Sequence, residues 1–86
     1  MTVPEGSIAT VLIADDDALV RGVLRMALSR AGYTVIEAAD AAAALERAEQ
    51  HSPALVVLDI NMPGGTVHET LGSLRERHPE IAVLVL

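Results

Sequence analysis

The sequence predicts an α/β protein built on a doubly wound parallel sheet. Three observations carry this. Short runs dominated by Val, Ile, Leu and Ala recur at Ile8–Ala14, Ala54–Leu58 and Ile81–Leu86, which is how strands buried on both faces read. Segments with helical apolar spacing separate them. Carboxylates follow two of the runs directly, as Asp15-Asp16-Asp17 and as Asp59. In an open α/β sheet, ligands and chemistry collect at that end of a strand.

Taken in order, Met1–Ser7 carries Pro4 and Gly6 and reads as a loose tail, leaving residues 8–86 as one domain. Ile8–Ala14 is the first strand. Ala18–Ala31 is a helix with Leu19, Val20, Val23, Leu24, Ala27, Leu28 and Ala31 on one stripe, and Arg21, Arg25 and Arg30 largely off it. Gly32 suits the left-handed position after a helix. Gly22 costs the helix about 1 kcal/mol against Ala, which close approach to the sheet would explain.

Tyr33–Ala38 is the second strand, with Tyr33, Val35 and Ala38 inward. Glu37 breaks its apolar run and marks it as an edge. Asp40 caps a helix, Ala41–Gln50, whose alanine-rich side is joined by Leu45 and Ala48, while Glu46, Arg47 and Glu49 form a solvated face. His51-Ser52-Pro53 ends it. Ala54–Leu58 is the third strand and runs into Asp59. Pro63-Gly64-Gly65 is a loop with two residues free to take positive φ; the Gly-x4-Gly-Lys-Ser/Thr phosphate-loop pattern is absent. Thr66–Arg77 is a helix with Val67, Leu71 and Leu74 inward, ended by His78-Pro79. Ile81–Leu86 is the fourth strand. His51 and His78 sit at helix ends, where exposed structural roles are expected; His68 begins the third helix and would be the one to face a pocket.

Composition narrows the function. The chain of 86 residues is 51% hydrophobic with Tyr33 as its one aromatic residue, so the core is aliphatic. It has no cysteine, which excludes a disulfide framework and thiolate metal ligands. Six arginines, no lysine and a net charge of -6 argue against direct nucleic-acid binding. No signal peptide and no apolar run long enough to span a bilayer is present, so a soluble cytoplasmic protein is expected, with no membrane partner.

Right-handed crossovers in the order 2-1-3-4 set strand one beside strand three. Asp15, Asp16 and Asp59 then meet at the carboxyl edge of the sheet. A helix cap accounts for Asp17, but not for all three aspartates after a buried strand. Clustered carboxylates need a counter-charge, and a hard divalent cation such as Mg2+ supplies it. Such a site would hold a phosphoryl group close to Asp59, whose carboxylate can act as a nucleophile.

The chain resembles the receiver domain of two-component response regulators. The matching stretches are VLIADDD (Val11–Asp17), LVVLDINMPG (Leu55–Gly64) and HPEIAVLVL (His78–Leu86), at matching spacing. The resemblance implies a flavodoxin-like receiver fold. It implies a phosphoacceptor signalling domain rather than an enzyme. Asp59 would accept a phosphoryl group from a histidine kinase or phosphotransfer partner. Asp16 would bind Mg2+ directly and Asp15 through water, and Asn61 would lend its backbone carbonyl. Met62-Pro63 would shape the loop.

The departures are specific. Thr66 and Val67 stand where the family has Asp-Gly or similar. The family's Ser or Thr at the end of strand four would be the residue after Leu86. The Lys at the end of strand five has no counterpart, since the chain has neither a fifth strand nor a lysine. The expectation is therefore a receiver truncated after strand four. Strand four would be a bare sheet edge, with Ile81, Val83, Leu84 and Val85 uncovered, and would favour self-association through that edge. The alternative function is a short or degenerate receiver that acts as a self-associating binding module with little or no phosphoryl transfer. A small phosphatase or hydrolase using Asp59 fits poorly, because Asn61 stands where a second aspartate would be wanted.

Overall fold

The computed structural model describes residues 8–86, so the expected tail Met1–Ser7 lies outside the described residues. The elements are β1 (Thr10–Ala14), α1 (Ala18–Arg30), β2 (Thr34–Ala38), α2 (Ala41–His51), β3 (Leu55–Leu58), α3 (Val67–Arg77) and β4 (Ala82–Val85). All strand pairs are parallel, and the order is β2-β1-β3-β4. Among the described residues there is no fifth strand. The strands are shorter than the apolar runs that announce them. Ile8, for example, gives its amide to the Gly32 carbonyl at 2.9 Å yet is 64% exposed.

The sheet separates two cores. Leu12, Ala14, Val56 and Leu58 point to the face covered by α2 and α3, where they meet Ala41, Ala44, Ala48, Met62 and Leu74. Val11, Ile13 and Val57 point to the other face, where Leu24, Leu28, Tyr33 and Val35 pack against them. Val11, Leu12 and Ile13 are each at most 2% exposed, as a central strand covered on both sides requires.

Several expectations need correction. The apolar stripe of α1 is an inward face only in part: no residue of α1 is fully buried. Leu24 and Leu28 reach the sheet, but Leu19, Val23 and Met26 are exposed. Helical periodicity marks a face without naming what covers it, and among the described residues α1 is the one helix on this side of the sheet. Gly22 does not serve close approach, because a Cβ there would meet nothing within 4 Å. Ile81 is buried beside Leu74 and Val83 packs on the same core, so β4 is uncovered at Ala82, Leu84 and Val85 but not along its whole length. His78 is not an exposed bystander. It caps α3, its side chain is only 13% exposed, and its Nε2 lies 3.2 Å from Glu49 Oε2 on α2. His51 is the last residue of α2, and Ser52 ends that helix in the left-handed region.

The caps hold the helices where the sequence asks for them. Asp17 accepts the amides of Leu19 and Val20 at the start of α1, and Asp40 accepts that of Ala43 at the start of α2. Thr66 is not the first helical residue but the cap of α3. Its hydroxyl accepts the Glu69 amide while the Glu69 carboxylate accepts the Thr66 amide, both at 3.1 Å. That reciprocal pair holds the Glu69 carboxyl below its usual range, chiefly through the Thr66 backbone amide. It also gives the departure at Thr66 a structural role.

Candidate functional site

The parallel ladder between β1 and β3 runs to its last residue pair, Ala14 opposite Leu58. One step beyond, the Asp59 amide donates to the Ala14 carbonyl at 2.9 Å, and the Asp15 amide donates to the Ala38 carbonyl at 3.1 Å. The turn after β1 and the turn after β3 are therefore fixed to the sheet at the same level. Asp15, Asp16 and Asp59 each place one carboxylate oxygen within 4.8 Å of the others. Asp15 and Asp59 are half-buried and Asp16 is exposed.

Like charges at 4.8 Å repel by roughly 1 to 3.5 kcal/mol per pair, between water-like and surface-like screening. No ion pair relieves the three among the described residues. Local hydrogen bonds relieve them in part. Asp15 Oδ1 accepts the Asp17 amide at 2.9 Å, and Asp59 Oδ1 accepts the Asn61 amide at 3.3 Å. The donor set is all hard oxygen on two adjacent turns, which fits Mg2+ and not a soft metal. His68 is exposed on α3 and is not one of the three clustered residues.

The loop after Asp59 is anchored at both ends. The Ile60 amide donates to the Leu86 carbonyl at 3.2 Å, so β4 borders the site. Met62 is buried in the larger core, and the Pro63 carbonyl accepts the Ala41 amide at the start of α2 at 3.1 Å. Gly64 follows at φ +93, a conformation that side chains oppose. Asn61 is exposed between these anchors.

Arg21 is a residue that sequence reasoning missed. It reads in the sequence only as a residue largely off the apolar stripe of α1, but its Nη1 donates to the Asp15 carbonyl at 2.7 Å and its Nε lies 3.1 Å from Glu37 Oε1. No local signal marks these contacts, because Glu37 lies on another strand. The Thr66 cap, by contrast, is written locally as Thr-x-x-Glu.

Comparison with known proteins agrees with this geometry. The family model for the response regulator receiver domain matches residues 11–86. The DNA-binding transcriptional regulator NtrC of Rhizobium meliloti is 41% identical over 78 residues, which is 91% of this chain and 16% of NtrC. TcrX of Mycobacterium tuberculosis, a probable transcriptional regulatory protein, is 33% identical over 82 residues, or 95% of this chain and 35% of that protein. The chain thus spans a minor part of these regulators. Among solved structures, the chemotaxis response regulator CheY4 of Vibrio cholerae superposes with a TM-score of 0.86 at 31% identity, covering 92% of this chain and 68% of CheY4. TrrA of Thermotoga maritima, solved with Mg2+ and BeF, gives 0.85 at 28% identity, with 91% and 68% covered.

The chain belongs to the response regulator receiver domain family. Its fold is the flavodoxin-like fold of CheY-type proteins, with four strands and three helices among the described residues. The family is a signalling family and not an enzyme family, and its members interact with histidine kinases. No helix among the described residues is long and apolar enough to cross a membrane.

Proposed function

We propose that this chain is a phosphoacceptor domain in which Asp59 takes a phosphoryl group from a histidine kinase or phosphotransfer protein. The observation that carries the reading is the convergence of Asp15, Asp16 and Asp59 at one sheet edge. An Asp59 Oδ oxygen attacks the phosphorus of a phosphohistidine. The P–O bond forms as the P–N bond breaks, and the departing imidazole takes up a proton from water. The product is an acyl phosphate. Asp16 would hold Mg2+ directly and Asp15 through water, with the Asn61 carbonyl as a further oxygen donor. When bound there, Mg2+ supplies positive charge against the carboxylates and the phosphoryl oxygens.

The chain's own residues do the positioning. The Ala14 carbonyl fixes the height of Asp59 through the Asp59 amide, and the Asn61 amide orients its Oδ1. The partner would approach over the exposed side of α1, where Leu19 and Val23 begin one turn beyond the aspartates. A cytoplasmic location and no direct contact with nucleic acid accompany this reading, in keeping with the acidic balance of the chain.

The test is labelling with a small acyl phosphate or phosphoramidate. Uptake that requires Mg2+ and stops with a chelator supports the reading; uptake indifferent to Mg2+ removes the metal from it.

A second reading has one observation in its favour. Among the described residues β4 is one of the two edge strands, with Leu84, Val85 and the following Leu86 at 51%, 39% and 57% exposure and no charge or proline to blunt the edge. In that reading two copies pair through β4, and the chain serves as a self-associating binding module with little phosphoryl transfer.

A further inference from the structure

We infer that Arg21 is a positioning residue for the acidic site, fixing the turn that carries Asp15 and Asp16 by clamping the Asp15 carbonyl to Glu37. The inference rests on the Mg2+ reading above and names what holds its ligands in place. Asp15 is tethered at three points. Its amide donates to Ala38 at the end of β2, its Oδ1 accepts the Asp17 amide, and its carbonyl accepts Arg21 Nη1 at 2.7 Å. The first two tethers act through the amide and the carboxylate of Asp15; Arg21 adds a third, from α1, at the carbonyl of the peptide leading to Asp16.

The guanidinium is suited to the task because its planar fork reaches two acceptors at once. Nη1 takes the carbonyl while Nε meets Glu37 Oε1 at 3.1 Å, and the Arg21 side chain is only 18% exposed. The other Glu37 oxygen faces Arg25 Nε at 3.2 Å. Arg25 thus shares the same helix, the same charge and the same carboxylate, but no contact joins it to Asp15. Glu37, on the edge strand β2, anchors this fork. The arrangement is a supporting shell around prospective metal ligands, and groups of that kind tune affinity through orientation.

Arg21 also brings positive charge near an acidic cluster, and that effect opposes cation binding. The two effects predict opposite signs, so titration separates them. Mg2+ alone is titrated into the native chain and into Arg21→Ala, Arg21→Lys and Arg25→Ala, with amide hydrogen exchange of Asp15 and Asp17 measured on the metal-free proteins. Arg21→Ala is expected to bind Mg2+ about tenfold more weakly. Arg21→Lys keeps the charge but loses the fork, and falls with it. Arg25→Ala keeps native affinity. The Asp15 and Asp17 amides lose protection in both Arg21 variants only.

Native or tighter Mg2+ binding by Arg21→Ala overturns the inference, as does an equal loss in Arg25→Ala. If the native chain itself takes no Mg2+, the metal reading fails, and amide exchange then decides: unchanged protection in Arg21→Ala overturns the positioning role as well.

Discussion

The Asp59 amide donates to the Ala14 carbonyl at 2.9 Å, one step past the last paired residues of β1 and β3. This bond sets Asp59 level with Asp15 across adjacent strands. The juxtaposition of Asp15 and Asp59 therefore follows from the sheet register. A register slip of one residue would turn Asp59 to the opposite face.

Burial separates two leucines that look alike in sequence. Leu58 is fully buried beside Asp59, while Leu19 is 81% exposed. Leu58→Ala is expected to cost about 2–5 kcal/mol. That is a large share of the roughly 4–13 kcal/mol available to a domain of this length. Leu19→Ala is expected to stay within about 0.5 kcal/mol. Urea unfolding of both variants checks the contrast.

Gly22→Ala is expected to stabilise the chain by about 0.5–1 kcal/mol, because helix propensity improves and the added methyl meets nothing within 4 Å. A rise in the unfolding midpoint at unchanged slope is the readout. A loss would mean that α1 is covered at this point by something in solution.

The capping box of α3 carries a pH signature. The Glu69 carboxyl lies below its usual range when folded, chiefly because it accepts the Thr66 amide. A depressed folded value means that the ionised form stabilises the helix. The contribution is complete above the ordinary carboxylate range near 4.5 and is lost as pH falls through the folded value. Glu69→Gln should flatten that part of the stability profile, and Thr66→Ala should remove about 1 kcal/mol at neutral pH. Thermal unfolding across the acid range measures both.

The outer edge of β4 predicts concentration-dependent association of the 86-residue chain. Sedimentation should show species heavier than the monomer at micromolar concentration, and Leu84→Lys should return them to monomer by placing a charge on the edge strand. A stable native monomer over the same range contradicts the edge pairing.

The architecture was legible because its signals are local and redundant. Val11 to Ala14 and Val56 to Leu58 read as strands covered on both faces, and they are buried on both. The juxtaposition of Asp15 and Asp59 followed from strand order alone. What escaped depends on neighbours. Leu19 and Val23 have helical spacing but no opposing surface, so pattern could not tell covered from bare. Arg21 and His78 looked like surface residues because their partners, Glu37 and Glu49, lie on other elements. Thr66 was different: its Thr-x-x-Glu signal stood in the sequence, and reading Thr66 as helical rather than as a cap passed over it.

The central claim is that Asp59 is the phosphoacceptor, and mass spectrometry tests it most directly. The native chain and Asp59→Asn are exposed to a small acyl phosphate with Mg2+, and the labelled peptides are mapped. The account predicts label on the native peptide containing Asp59 and none on Asp59→Asn, with folding of the variant confirmed by its circular dichroism. Equal labelling of the two proteins, or label mapped to a peptide without Asp59, would contradict it.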